Sequence, residues 1–272
     1  MKRLVFLDLD GTVVTQHQIV PDSAREALQK VHDNGHTLWI CTGRSAPEIY
    51  PWLWDLGFQG FIGANGAHAR LDGKDLFDHR LSKEFIEEAE AYFREHGIVS
   101  LWQTPDGLYP AEGFMEMFFQ ATPEAVERWG AYIDQVTPYV QKGLPAGSSK
   151  GMITIPSTSN LTIEDVNEHL GPQILIIPAS VDTGVANTGE VMLSAYNKGT
   201  GLKEVAEVLG FPIEQTVAVG DELNDLQMVS TAGMGIAMGN AVPEVKKVAD
   251  FVSTHIEEDG LANALKHAGL ID

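Results

Sequence analysis

Four short segments hold the residue types that phosphoryl or metal chemistry would need. The first is Asp8-Leu9-Asp10-Gly11-Thr12, directly after an apolar run. Two carboxylates two positions apart, where a strand ends, can face one cleft, and the glycine allows a sharp turn with close backbone approach. Such a pair suits a hard cation such as Mg2+, or nucleophilic attack on phosphorus. An Asp- and Gly-rich turn has the same composition without any chemistry, so the pentapeptide alone leaves both readings open.

The second segment is Thr42-Gly43-Arg44, after Thr-Leu-Trp-Ile-Cys. A hydroxyl and backbone N–H groups at a strand end can hold a phosphate oxygen, and Arg44 can add a guanidinium. Alone, it is better explained as an ordinary strand-to-helix turn. The third is Lys198, at the start of an expected helix. A cation there is unfavourable unless an anion is also present, but in isolation a solvated lysine is the better explanation. The fourth is Gly220-Asp221-Glu222-Leu223-Asn224-Asp225, which suits Mg2+ or a solvated turn.

Elements of an alternating α/β pattern must position these segments. Leu4–Leu9 reads as a buried strand, Pro21 to Asn34 as a helix with Ala24, Ala27, Leu28 and Val31 on one face, and Thr37–Cys41 and Phe61–Gly63 as strands. The same grammar returns later. Glu190–Ala195, Thr216–Val219, Gly233–Ala237 and Phe251–Ser253 read as strands; Gly199–Leu209, Asp225–Ser230 and Gly260–His267 read as helical. Strands alternating with helices predict a parallel sheet.

The middle of the chain follows another pattern. Residues 69–80 read as a hairpin around Asp72-Gly73, and 83–96 as an amphipathic helix. Ile98–Thr104, Ile153–Ile155 and Gln173–Ile177 read as strands. Thr122-Pro123 and Thr162…Asp165 have helix-start spacing, with Leu161 and Val166 placed as a staple. We expect an α+β domain, residues 83–186, inserted into a core formed by 1–82 and 187–272. Such an insert is expected to serve as a lid over strand ends, where ligands bind.

Composition narrows the partners. The 272 residues are 44% apolar and 21% charged, an ordinary globular mixture. Eighteen Lys and Arg stand against 38 Asp and Glu, a net charge of −20. That balance disfavours nucleic acid and anionic membrane surfaces as partners. A small anion can bind only where a metal or local cations reverse the field. One cysteine, Cys41, excludes an intrachain disulfide. The N-terminal apolar run is broken at Asp8, and no run reaches the roughly 18 residues of a membrane span. The expectation is a soluble cytoplasmic protein.

In conjunction the four segments are far more specific than any one of them. DLDGT, then T-G-R, then a helix-opening Lys, then GDELND, each beside an expected strand end, resembles the haloacid dehalogenase-like hydrolases. Asn65-Gly66-Ala67, the long insert before Lys198 and Glu258-Asp259-Gly260 resemble the Cof-type branch, with its large α+β cap. The resemblance implies a Rossmann-like parallel-sheet core with an inserted cap. It further implies a Mg2+-dependent phosphatase of small phosphorylated metabolites, working as monomer or homodimer.

By the same resemblance Asp8 is the nucleophile that forms an aspartyl-phosphate, and Asp10 is the acid and base, its pKa raised by the crowded acids. Mg2+ is held by Asp8, the backbone carbonyl of Asp10 and Asp221, with Asp225 in support. Thr42, Gly43, Lys198 and Asn224 bind the phosphoryl group. Asn65, His68, Arg44 and Lys150 are candidates for specificity, Arg44 alternatively bracing the motif. Glu222 departs from the small residue common at its position and is read as facing solvent. Trp102, Tyr109 and the Phe114-Met115-Met117-Phe118-Phe119 cluster read as cap packing. A phosphomutase or a dedicated sugar-phosphate phosphatase shares the pattern. A non-catalytic sensor would be expected to lack Asp8 or Asp10.

Overall fold

Leu4–Leu7 (β1) is apolar and buried at every position, as a strand covered on both faces must be. A computed structural model describes residues 1–114, 123–179 and 187–272, apart from the side chains of 123–129. The chain divides into two compact units. One comprises Met1–Arg44, Tyr50–Asp78 and Tyr196–Asp272; the other comprises Ser45–Ile49 and His79–Ala195.

The first unit is built on an eight-stranded sheet, with strands numbered in chain order. β1 pairs in parallel with Thr37–Cys41 (β2) and Thr216–Gly220 (β13), and β2 pairs with Gly60–Gly63 (β3). Met234–Ala237 (β14) and Phe251–Val252 (β15) extend the parallel run beyond β13. His68–Leu71 (β4) and Lys74–Asp78 (β5) add an antiparallel hairpin beyond β3, turning at Asp72-Gly73 as the sequence predicts.

Alternation along β1 sends Leu4 and Phe6 to one face. There they cluster with Trp39, with Leu202 and Val205 of Lys198–Val208 (α5), and with Met228 of Leu226–Thr231 (α6). Asp22–Asp33 (α1) buries Ala24, Ala27, Leu28 and Val31, the stripe its spacing predicts, and lies against Gly260–His267 (α8). Pro243–Val248 (α7) precedes β15.

The second unit centres on a five-stranded antiparallel sheet. It runs Ile174–Pro178 (β11), Thr188–Leu193 (β12), Lys150–Thr154 (β10), Val99–Gln103 (β7), Leu108–Pro110 (β8). Leu81–Ser82 (β6) and Gly147–Ser148 (β9) form a separate pair. Lys83–His96 (α2) and Ile163–Leu170 (α4) cover one face. Phe85, Ile86, Ala89, Phe93, Val166 and Leu170 pack there with Trp102, Ile153, Ile176 and Val191. Thr162 and Asp165 form the expected capping box, and Leu161 and Val166 share that cluster. Pro123–Val136 (α3) starts where expected. Its expected cap Thr122, with Met115, Met117, Phe118 and Phe119, lies outside the described residues.

One strand is in a different sheet from that expected. The run read at Glu190–Ala195 as part of the parallel core is β12, paired with β10 and β11. Val-Met-Leu fits a buried strand in either sheet, and the partners that decide lie far off in sequence. The units accordingly part after Asp78, within four residues of the expected boundary at 82, and after Ala195, beyond the expected 187, and Ser45–Ile49 belongs with the second.

Packing at β3 gives a test. A Cβ on Gly60 would lie 2.1–2.4 Å from ring atoms of Trp39, itself fully buried. Gly60→Ala is expected to destabilise by about 1–3 kcal/mol through overpacking, read as a lowered urea midpoint.

Candidate active site

Neighbouring parallel strands bring distant residues to one edge. Asn240, Asp221, Asp8, Thr42 and Asn65 follow the carboxyl ends of β14, β13, β1, β2 and β3, which are adjacent in that order. That is the edge where open α/β sheets bind ligands.

Asp8 is buried just past β1, its backbone N–H donating to the Val219 carbonyl at 3.0 Å. Lys198 is also buried. Its Nζ donates to Asp8 Oδ1 at 2.6 Å and to Asp225 Oδ1 at 2.6 Å. Asn197 caps α5 by accepting from the Thr200 N–H, which fixes the helix turn that carries Lys198. The second oxygen of Asp225 accepts the N–H groups of Asp221 and Glu222. Asp225 is therefore satisfied on both oxygens.

Asp221 is held from the opposite side. Its Oδ1 accepts from Thr12 Oγ1 at 2.9 Å and its Oδ2 from Asn240 Nδ2 at 3.1 Å. The same amide donates to the Gly11 carbonyl at 2.9 Å, so Asn240 ties the DLDGT turn to Asp221. Gly11 has φ +94, and a Cβ there would fall 2.1 Å from Asp221 Oδ2. Only glycine permits that approach. Sequence reading missed Thr12 and Asn240 as part of the site. Neither is charged, and the only signal for Asn240 is its place just past β14.

Asp8, Asp221 and Asp225 each offer one carboxylate oxygen, all within 4.8 Å of one another. One ammonium among three buried carboxylates leaves excess negative charge. Burial, Asp225, Asp221 and Asp10 raise the Asp8 pKa well above the usual range, with Lys198 opposing them. Burial and Asp225 push Asp221 up to about 7, although the Thr12 hydrogen bond opposes the rise. Burial would lower Lys198, but Asp225 and Asp8 outweigh it and raise its pKa. Burial likewise pushes the Cys41 thiol up, which makes it a poor nucleophile.

Asp10 has a different environment. Its side chain is 50% exposed, and Arg44 grips it from Nε at 3.0 Å and Nη2 at 2.8 Å. Asp8 and Asp221 are crowded by neighbouring acids, and the Asp10 carboxylate is held by a guanidinium. Thr42 is buried, and its Oγ1 accepts from the Arg44 N–H. Asn65, left-handed at φ 52, sits against Gly43 and accepts from Asn224 Nδ2 at 3.4 Å. Thr42, Gly43, Asn65 and Asn224 thus form one group.

Three residues lie apart from it. His68 is buried in the hairpin, Nε2 at 2.7 Å from Asp75 Oδ1 and its ring edge-on to Phe61. It is neither a solvated loop residue nor part of the carboxylate group. Lys150 belongs to the second unit, 3.5 Å from Glu190. Glu222 is exposed, as expected, and outside the three-carboxylate group.

Comparison with known proteins identifies relatives of the whole chain. The family model for haloacid dehalogenase-like hydrolases matches residues 5–265. YkrA of Bacillus subtilis (strain 168) is 31% identical, covering 99% of this chain and 98% of its own. The 5-amino-6-(5-phospho-D-ribitylamino)uracil phosphatase YcsE of the same organism is 29% identical, over 97% of this chain and 95% of its own. Among solved structures, BT1666 of Bacteroides thetaiotaomicron, from a study of phosphatases of this superfamily, is 25% identical with a TM-score of 0.77. That match covers 100% of this chain and 96% of BT1666.

The Asp221 environment predicts a pH effect on the metal-free protein. An unfolded Asp titrates near 3.9, whereas folded Asp221 titrates at about 7. Between these values the folded state binds more protons, so stability falls as pH rises through the window and levels off above it. Urea midpoints in EDTA should therefore be lower at pH 8 than at pH 5, with a smaller difference in Asp221→Asn.

Proposed function

The chain belongs to the haloacid dehalogenase-like hydrolases, in their Cof-type branch, and is a phosphatase. On that premise we propose that it hydrolyses small phosphorylated metabolites with Mg2+, through an aspartyl-phosphate on Asp8. One observation carries the reading: three buried carboxylates, two of them bonded to a single lysine, cluster beside the ends of adjacent parallel strands.

An all-oxygen donor set with surplus negative charge suits a hard divalent cation. Asp8 and Asp221 would hold it, with the backbone carbonyl of Asp10. Asp225, already bonded on both oxygens, supports rather than ligates. Bound there, Mg2+ supplies the positive charge that lets a phosphate approach a chain of net charge −20.

In the proposed reaction a carboxylate oxygen of Asp8 forms a bond to phosphorus as the ester P–O bond breaks. The Asp10 carboxyl gives its proton to the leaving oxygen. Asp10, now ionised, takes a proton from water as the water oxygen bonds to phosphorus. The bond from phosphorus to Asp8 then breaks, and phosphate is released. The bidentate Arg44 pair occupies both Asp10 oxygens, so it must loosen before Asp10 can reach the leaving oxygen or a water.

Thr42, the Gly43 N–H, Lys198 and Asn224 would bind phosphoryl oxygens, since such catalysis is mostly positioning and charge stabilisation. Asn65 would position Asn224. His68, spent on Asp75, is assigned no part. The second unit is proposed as the cap that sets specificity. Among the described residues no helix is long and apolar enough to cross a membrane. With a single buried cysteine, that supports a cytoplasmic setting.

Wild-type protein should release free phosphate from p-nitrophenyl phosphate with Mg2+ and not with EDTA. Asp8→Asn should lose at least about 1,000-fold in kcat, of the order found when a catalytic nucleophile is removed. Equal activity in the variant would remove the proposed mechanism. A second expectation concerns Asn240, which orients Asp221. Asn240→Ala should weaken Mg2+ roughly 10- to 100-fold, the usual cost of losing a partner that orients a ligand. Titrating activity against Mg2+ would measure it.

A further inference from the structure

One segment near the end of the chain has no part in the proposed chemistry, yet it is bonded to the site. Glu258-Asp259-Gly260 closes a loop that runs from Ser253, directly after β15, to the start of α8. The loop folds back on itself. The His255 carbonyl accepts the N–H groups of Glu258 at 2.8 Å and of Gly260 at 3.1 Å. Ser253 Oγ donates to the Gly260 carbonyl, and Thr254 Oγ1 to that of Glu258, each at 2.6 Å. Asn263 of α8 donates to Thr254 Oγ1 at 2.9 Å.

Two residues have the backbone that so tight a closure demands. Asp259 is left-handed at φ 59, a conformation that Asp tolerates better than most residues. A Cβ on Gly260 would fall 2.4 Å from the Thr254 carbonyl oxygen and 2.6 Å from that of His255. A larger residue would therefore push the start of α8 away from the loop.

The closed loop presents one backbone donor to the site. Ile256, its side chain buried, donates its N–H to Asn240 Oδ1 at 3.1 Å. Beside that bond the Thr254 carbonyl accepts from the Gly239 N–H at 2.9 Å. The Asn240 amide nitrogen is already committed to Asp221 Oδ2 and to the Gly11 carbonyl. Three bonds fix the carboxamide in plane and in sense, because turned over it would set its oxygen against two others. The bond from Ile256 holds its far end.

We propose that loop 253–260 is a positioning element for Asp221, with Gly260 and Thr254 as the residues that keep it closed. Closure aims the Ile256 N–H at Asn240, and Asn240 sets the direction of the Asp221 carboxylate against the Gly11 turn. An opened loop lets the amide rotate and releases Asp221 Oδ2, so the carboxylate is no longer preset for a divalent cation. The inference rests on the reading of Asp221 as a Mg2+ ligand. It deepens that reading by assigning control of the ligand to a turn that holds no ligand itself.

The test reads metal binding without substrate. Mg2+ added to metal-free protein should raise Tm, and the dependence on concentration gives an apparent Kd. Gly260→Ala should weaken that Kd about tenfold, the lower end of the cost of losing a partner that orients a ligand. Thr254→Val keeps the volume, loses the hydroxyl bonds and should weaken it roughly threefold, about the worth of one hydrogen bond. It also serves if Gly260→Ala does not fold.

Combining either variant with Asn240→Ala shows whether the loop acts through Asn240. The Kd of the double variant should lie within about twofold of Asn240→Ala alone, because a relay already cut has nothing further to lose. Additive losses overturn the proposal, since the loop would then act by loosening the fold at large. An unchanged Kd in Gly260→Ala and Thr254→Val overturns it as well, whatever happens to Tm. If Asn240→Ala still weakens Mg2+ in that case, the metal reading stands and only this inference falls. No rise of Tm with Mg2+ in the wild-type protein removes both.

Discussion

The ammonium of Lys198, buried between Asp8 and Asp225, is the contact on which the rest of the candidate site depends. None of the three charges would be tolerable there alone. Removing one partner of a buried pair typically costs about 3–5 kcal/mol, because an uncompensated charge remains. The three residues are 190 and 27 positions apart in sequence, so only the assembled sheet and its helices can bring them together. The backbone around Lys198 is shaped for this. A Cβ on Gly199 would fall 2.5 Å from the Gln227 carbonyl, so α5 could not approach α6 as closely with any larger residue.

The same constraint explains why two aspartates two positions apart are not equivalent. Asp8 ends in a buried site, bonded to an ammonium and crowded by Asp225 and Asp221. Asp10 lies half exposed in the fork of Arg44. Environments that differ this much are how one short motif can supply a nucleophile and a proton carrier. Lys198 balances only one of three carboxylates, so the cluster is one divalent cation short of neutrality. Burial first, and that deficit after it, raise the pKa values of Asp8 and Asp221.

What could be read from the sequence followed position relative to strand ends. Asp8, Thr42 and Asp221 were legible because each is polar and directly follows an apolar run, and Asp225 because it lies in the same short acidic segment as Asp221. Thr12 and Asn240 were not, since uncharged residues in turns resemble any other turn residue until the Asp221 carboxylate is seen between them. β12 was read into the wrong sheet because its apolar run is silent about its partners. His68 and Lys150 look like loop residues in one dimension. Cross-strand neighbours bury them both, one on Asp75 and the other near Glu190.

A chain of net charge −20 that handles an anion must solve its electrostatics locally. Its cations near the chemistry are not left as free attractors. Arg44 is committed to Asp10 and Lys198 to two aspartates. On the proposed reading an incoming phosphate would compete with carboxylates already in place, and it would gain most where those carboxylates could turn to a metal instead. Selectivity for the anion would then follow from exchange of partners within a fixed set of charges. The site would respond to the metal and to the few angstroms around Lys198, and would be largely indifferent to the acidic surface around it. Screening within about 10 Å at ordinary salt separates the two scales.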